Sequence, residues 1–130
     1  MTNPQHSLNS KAALITGGAK RIGAAIATTL HAAGMDLVIH FRRSAAEAQS
    51  LANALNGTRP NSVVLVEGDL ENSEDCAALA QQALEAFGRM DALINNASAF
   101  FPTPIGEVTN DHWEALMGVN LKAPFFLSQA

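Results

Sequence analysis

The first residues able to act together chemically are Thr16-Gly17-Gly18-Ala19-Lys20-Arg21-Ile22-Gly23. Glycine lets a chain turn tightly and bring its amides close to an anion. Good helix formers follow at once, and a helix start offers unpaired N–H groups and the positive end of the dipole. Lys20 and Arg21 add formal charge at that same end, an unfavourable place for cations unless an anion lies between. The stretch is suited to gripping a phosphate. The short apolar run Ala12 to Thr16 just upstream supplies the strand-then-helix context that separates such a site from an ordinary solvated turn.

A second cluster, Arg42-Arg43-Ser44, follows the apolar run Leu37-Val38-Ile39-His40-Phe41. In dinucleotide-binding folds an acid at the end of the second strand holds the ribose hydroxyls of NAD. Here two guanidiniums and a hydroxyl occupy that place, and Asp36 lies at the wrong end, before the run. Arginine grips phosphate through paired N–H donors. The expected cofactor is therefore NADPH, with its 2′-phosphate, rather than NADH.

Other chemistries find little support. His6, His31, His40 and His112 show no metal-ligand spacing, and Cys76 is the only cysteine, so neither a metal site nor an internal disulfide is expected. Acids beside Cys76 disfavour a thiolate, leaving it a small core residue. Glu71, Glu74 and Asp75 sit at an expected helix start, where negative charge is stabilising anyway. His112 and Trp113, near another helix start, read as packing and capping residues. The net charge of −4 argues against a dedicated nucleic-acid binder. No apolar stretch approaches the ~20 residues needed to span a bilayer, and Met1 to Ser10 lacks the pattern of a signal peptide, so the expected location is cytoplasmic.

These residues must be positioned by regular elements. At 130 residues, 48% of them hydrophobic, the chain suffices for one domain with a real core. Strands are expected over Ala12–Thr16, Leu37–Phe41, Val63–Val66 and Ala92–Ile94, each a short, continuous apolar run. Helices are expected over Ile22–Ala33, stopped by Gly34; over Ala45–Leu55, capped by Ser44 and ended by Asn56-Gly57; and from Asn72 or Ser73 to Phe87, closed by Gly88. A last helix starts near Thr109 to Asp111 and runs to the end of the chain. Pro124 lacks the N–H that would bond the Asn120 carbonyl, so the helix should bend there. The alternation implies an α/β fold: a Rossmann-like, doubly wound parallel sheet, incomplete at about four strands with flanking helices. Residues 1–10 read as a flexible N-terminal segment and 11–130 as the N-terminal part of an NADP-binding domain.

Thr16-Gly17-x-x-x-Arg21-x-Gly23, Asp69-Leu70, Asn95-Asn96-Ala97-Ser98 and Asn120 resemble, in order and spacing, the short-chain dehydrogenase/reductase family. Arg21 in place of a family glycine, His40-Phe41-Arg42-Arg43-Ser44, and the segment Asn95 to Pro104 resemble its pteridine reductases. The resemblance implies a pyrophosphate held by Gly17, Arg21, Ile22 and Gly23, and a 2′-phosphate held by Arg42, Arg43 and Ser44. It places Asp69 and Leu70 beside the adenine, and Asn96, Ala97 and Ser98 under the nicotinamide ribose. It implies a pterin stacked on Phe100 and contacted by Arg21 and Ser98, with Phe101 packed inside, and a catalytic role for Asn120, whose carbonyl positions a water in a proton relay.

The family's proton donor is the tyrosine of a Tyr-x-x-x-Lys motif, and this sequence has no tyrosine. The resemblance therefore implies the N-terminal fragment of an NADPH-dependent reductase of pterins, tetrameric when complete, with the isolated chain inactive. Two other readings stand beside it: an NADPH-dependent short-chain carbonyl reductase acting on a ketone, and a non-catalytic nucleotide-binding protein.

Overall fold

The computed structural model describes residues 7–130. From its amino end it is built from β1 (Ala12–Ile15), α1 (Arg21–Ala32), β2 (Asp36–Phe41), α2 (Ala45–Thr58), β3 (Val63–Glu67), α3 (Ser73–Phe87) and β4 (Ala92–Ile94). After a long loop come α4 (Asn110–Met117), a π-helical turn (Gly118–Lys122) and α5 (Ala123–Gln129). The four strands are parallel in the order β3-β2-β1-β4. Ala12 lies opposite Asp36, Ala13 opposite Ala92 and Leu37 opposite Val63. The chain winds outward from β1 through β2 to β3, then returns to β1's other side with β4. The order reverses at β1, which opens a crevice at the carboxyl ends of β1 and β4. This is the expected Rossmann-like sheet.

Both faces of the sheet are covered, which explains strands without a polar side. Ala13, Ile15, Leu37, Ile39 and Val63 pack with Ala27 of α1 and Ala52 and Leu55 of α2. Leu14, Val38 and Val66 face the other way, onto Cys76, Leu79 and Ala83 of α3 and Ala123 and Leu127 of α5. Of the segment 1–10, residues 1–6 lie outside the described residues, while Leu8 packs against the first of these clusters.

Three local expectations are corrected. Helix α2 does not stop at Asn56-Gly57 but runs to Thr58. Asn56 is held in the helix by partners at the start of β3: its Oδ1 accepts from the N–H groups of Ser62, just before the strand, and Val63 (3.0 Å each), and its Nδ2 donates to the Val63 carbonyl at 3.1 Å. Ser44 occupies the N-cap of α2, but its side chain makes no capping hydrogen bond. The last helix is not one bent rod. Its register widens over Gly118–Lys122, where the Ala123 N–H reaches back to the Gly118 carbonyl, before the α-helix resumes around Pro124.

Other ends are capped as their residues suggest. The Asn72 side chain accepts from the N–H groups of Glu74 and Asp75, and Gly88 closes α3 at φ +71°. Thr109 and His112 form a reciprocal capping box at the start of α4. The amino ends of the strands are tied by polar side chains. Arg59 donates to the carbonyls of His31 and Met35, and His31 Nε2 lies 2.7 Å from Ser62 Oγ. Arg89 donates twice to Asp91, which also accepts the Ala12 N–H at 2.9 Å; these bonds hold the Asp91 carboxyl down at about 2.

Candidate functional site

The glycine turn lies at the carboxyl end of β1. Gly17 has φ +59°, and a Cβ there would meet the Ala97 Cα at 3.0 Å. Gly23 is tighter: a Cβ would lie 2.4 Å from the Gly17 carbonyl oxygen and 2.6 Å from Asn96 Nδ2. Both glycines are thus required for close packing of α1 and the β4 loop against the turn. The Gly17 N–H donates to His40 Nδ1 (3.0 Å) and the Gly18 N–H to the His40 carbonyl (3.0 Å). Gly17 therefore shapes the turn rather than donating to a phosphate. The donors left open are those of the first turn of α1, whose N-cap residue Lys20 gives no side-chain cap and which contains no acid.

Arg21 adopts φ +52°. That region suits glycine and costs other residues roughly 1–2 kcal/mol, which is the physical reason a glycine is the easier choice here. The strain places an exposed guanidinium at the helix start, on the wall of the crevice.

The opposite wall comes from the end of β4. Buried Thr16 acts as a hub: its Oγ1 accepts from the N–H groups of Asn96 (3.1 Å) and Ala97 (3.0 Å). Asn96 Nδ2 donates to the carbonyls of Thr16 and Gly17 at 3.1 and 3.0 Å. Asn96 thus fastens the loop to the turn. Asn120, in the π-helical turn, pairs its side-chain amide with the backbone of Ala99, donating at 2.8 Å and accepting at 3.0 Å.

A cavity of about 510 Å³ lies between these walls. Of the residues expected from sequence to hold a ligand, Gly17, Arg21, Ile22, Gly23, Arg42, Leu70, Asn96, Ala97 and Ser98 line it. A second cavity, of about 290 Å³, occupies the corner between the glycine turn and the end of β2, where Lys20, Arg42, Arg43 and Ser44 meet. Lys20 was noticed in the sequence only as a charge at the helix start; its place in this corner depends on how the turn leaves β1. Asp69 lies outside both cavities and is already engaged, accepting from Arg42 Nη2 at 3.2 Å and from the Glu71 N–H at 3.0 Å. Arg42 also approaches Glu71 at 3.9 Å, so its charge is shared with two acids, whereas Arg43 has no ion pair among the described residues.

The two phenylalanines diverge. Phe101 is half-buried and packs edge-on against His112, with ring centroids 5.3 Å apart. Phe100 is 90% exposed and lines neither cavity. Asn120 also lines neither.

Sequence reasoning gave His40 no role in the site, placing it on a strand, without metal-ligand spacing, and within the segment that resembles the pteridine reductases. His40 is 2% exposed and bonds at both ring nitrogens, with Nε2 at 2.9 Å from the Gly68 carbonyl. Burial pushes its pKa below the usual histidine value, and the Gly68 carbonyl opposes that shift. Among the described residues no group of His, Cys, Asp and Glu could hold a metal ion, and no helix is long and apolar enough to cross a membrane.

Comparison with known proteins gives consistent results. The family model for short chain dehydrogenases matches residues 11–130. Pteridine reductase 1 of Leishmania tarentolae is 40% identical, over 91% of this chain and 52% of the relative. The short-chain dehydrogenase/reductase FrzI of Cladobotryum sp is 34% identical, over 98% of this chain and 49% of the relative. A blue fluorescent protein from a metagenomic library, solved in complex with NADPH, superposes with a TM-score of 0.91 at 34% identity, covering 96% of this chain and 51% of its own. The chain spans about half the length of these proteins.

Proposed function

The chain belongs to the short-chain dehydrogenase family, and on that premise we propose that it supplies the NADPH site of a reductase acting on pterins. The carrying observation is the corner beside Ser44. Lys20, Arg42, Arg43 and Ser44 surround a cavity whose wall contains no carboxylate. A 2′-phosphate there meets a forked guanidinium, an ammonium and a hydroxyl left free by the uncapped start of α2. A ribose without that phosphate would leave Lys20 and Arg43, which make no ion pair among the described residues, unanswered.

The rest of the chain fits the same ligand. The open first turn of α1 offers backbone donors to a pyrophosphate, and Gly17 and Gly23 keep that turn close to the β4 loop. Asn96 holds the loop on the turn, leaving exposed Ser98 on the cavity wall. Arg42, bridged to Asp69 and Glu71, borders the adenosine side. When bound, NADPH supplies the hydride.

Likeness to a pteridine reductase, together with Arg21 and Ser98 on one wall, supports a flat, polar-edged heterocycle as substrate. Phe100 is unencumbered and free to turn its ring onto such a plane. Reduction adds hydride to the carbon and a proton to the nitrogen of a ring C=N bond. The proton is assigned to a Tyr-x-x-x-Lys pair outside these 130 residues, with the Asn120 main chain relaying water toward it.

The test uses the intact polypeptide. NADPH and NADH are titrated by fluorescence against the wild type and Arg43→Ala, and turnover is followed with a dihydropterin and with a ketone. Arg43→Ala should weaken NADPH by roughly tenfold or more, the scale of a charge-assisted pair, and leave NADH within about twofold. Equal losses would refute the phosphate assignment. Turnover of the ketone alone would replace the pterin by a carbonyl substrate.

A further inference from the structure

His40 is a buried, titratable side chain that the proposed chemistry does not use, yet it bonds to two separate segments that line the cofactor crevice. From β2 it reaches the turn after β1 on one side and the end of β3 on the other. Its Nδ1 accepts the Gly17 N–H at 3.0 Å, and its Nε2 lies 2.9 Å from the Gly68 carbonyl, immediately before Asp69. A backbone N–H can only donate and a carbonyl can only accept. The imidazole must therefore be neutral, with its proton on Nε2. A hydroxyl partner would adapt by rotating; these two backbone partners cannot.

We infer that His40 is a positioning residue for the dinucleotide: one neutral imidazole sets the spacing between the glycine turn and the adenine-side loop, and its protonation releases the turn. The inference rests on the NADPH reading above. A proton on Nδ1 would set a donor against the Gly17 N–H, and the turn would lose its anchor. The conformation of Gly17 fixes where the first turn of α1 points, so the pyrophosphate site would loosen with it. The charged groups that line the crevice with the ring are Lys20 and Arg21 at the start of α1, Arg42 just after its own strand and Glu71 after β3, with Asp69 next to Gly68 and Asp75 bonded to Asp69. Arg42 is already answered by Asp69 and Glu71, and Asp75 accepts the Asp69 N–H. None of them contacts the imidazole, so its state is set by burial and its two backbone bonds.

Glutamine carries an acceptor and a donor at a spacing close to that of the two ring nitrogens and does not titrate. Leucine removes both. With the intact polypeptide, NADPH dissociation constants would be measured by fluorescence from about pH 7.5 to about pH 5 for the wild type, His40→Gln and His40→Leu, and ¹⁵N NMR of the unliganded wild type would report the imidazole's tautomer. The expected result is an Nε2–H tautomer, about tenfold weaker binding for His40→Leu at the upper pH, and recovery of most of that loss by His40→Gln. The wild type should weaken toward low pH more steeply than His40→Gln. The titration of the 2′-phosphate is common to both and cancels in their ratio. Superimposable pH profiles for wild type and His40→Gln, or an Nδ1–H tautomer, would overturn the inference while leaving NADPH binding intact. Failure of the wild type to bind NADPH at any pH, with the expected tautomer present, would instead overturn the cofactor reading and this inference with it. If His40→Leu does not fold, the tautomer and the wild-type-to-Gln ratio still decide.

Discussion

The two ends of the sheet solve the same problem in opposite ways. At the amino ends of the strands, polar side chains close on one another and on the backbone: Asn56 onto Ser62 and Val63, Arg59 onto His31 and Met35, Asp91 onto Ala12. Among the described residues no buried side-chain nitrogen or oxygen lacks a partner. At the carboxyl ends the turn and loop are equally well tied, through Thr16, Asn96 and His40, but the start of α1 and the Arg43–Ser44 corner remain open. One end is finished by the chain itself, and the other is left for an anion to finish. Substitutions at the first should therefore cost stability without touching ligand affinity; at the second the two should separate or even move in opposite directions.

The largest effect that would break this contrast lies at the closed end. Asn56→Ala strands two N–H groups and a carbonyl at the start of β3, a loss of roughly 2–4 kcal/mol in urea unfolding, with the NADPH dissociation constant unchanged for the folded protein. A matching loss of affinity would mean the two ends are coupled. A smaller effect of opposite sign is expected at the open end. Arg21→Gly removes a side chain from φ +52°, and relief of that strain, less the added freedom of the unfolded chain, should raise stability by up to about 1 kcal/mol. Thermal melting should rise while NADPH binds more weakly; a fall in both would show that the Arg21 side chain also stabilises the fold.

The smallest effect distinguishes two buried histidines, one at each end. His31 and His40 both have pKa values lowered, chiefly by burial, with Arg59 adding to the effect on His31. A folded state that binds protons less readily than the unfolded one is most stable above the ordinary histidine pKa, near 6.5, and loses that contribution as pH falls toward the lowered folded value. Urea midpoints should accordingly decline from about pH 7 to about pH 5. His40→Gln should flatten this decline more than His31→Gln, because protonating His40 also breaks a bond to Gly17, whereas the Ser62 hydroxyl donates to the Arg59 carbonyl and can accept from His31 Nε2 in either charge state. Equal flattening would remove the distinction.

What the sequence made legible follows from the range of the interactions involved. The strands were readable because burial on both faces leaves uninterrupted apolar runs, and the start of α3 and its closure at Gly88 because their signals lie within a few residues. The end of α2 was misplaced because Asn56 looks like a terminator locally, while its partners at Ser62 and Val63 become visible only once β3 has paired with β2. Ser44 has the right residue type for a cap, but its backbone geometry does not bring the hydroxyl onto the helix. In the site, the glycine turn and the Arg42–Arg43–Ser44 cluster were readable from spacing alone. The division of labour was not: Arg42 turns to Asp69 and Glu71 while Arg43 stays open, and His40 bridges residues 23 and 28 positions away.

The widened turn at Gly118–Lys122 has a consequence for what this part of the chain tolerates. An α-helix advances about 100° per residue, so one extra residue in a single turn shifts the phase of everything that follows. Here that offset lets Ala123 and Leu127 lie on α3 while Asn120 remains clasped to Ala99. Removing any one residue between 118 and 122 would restore an even winding and swing the stripe carrying Ala123 and Leu127 a quarter-turn or so out of the interior. At this point an insertion or deletion is a more severe change than most substitutions.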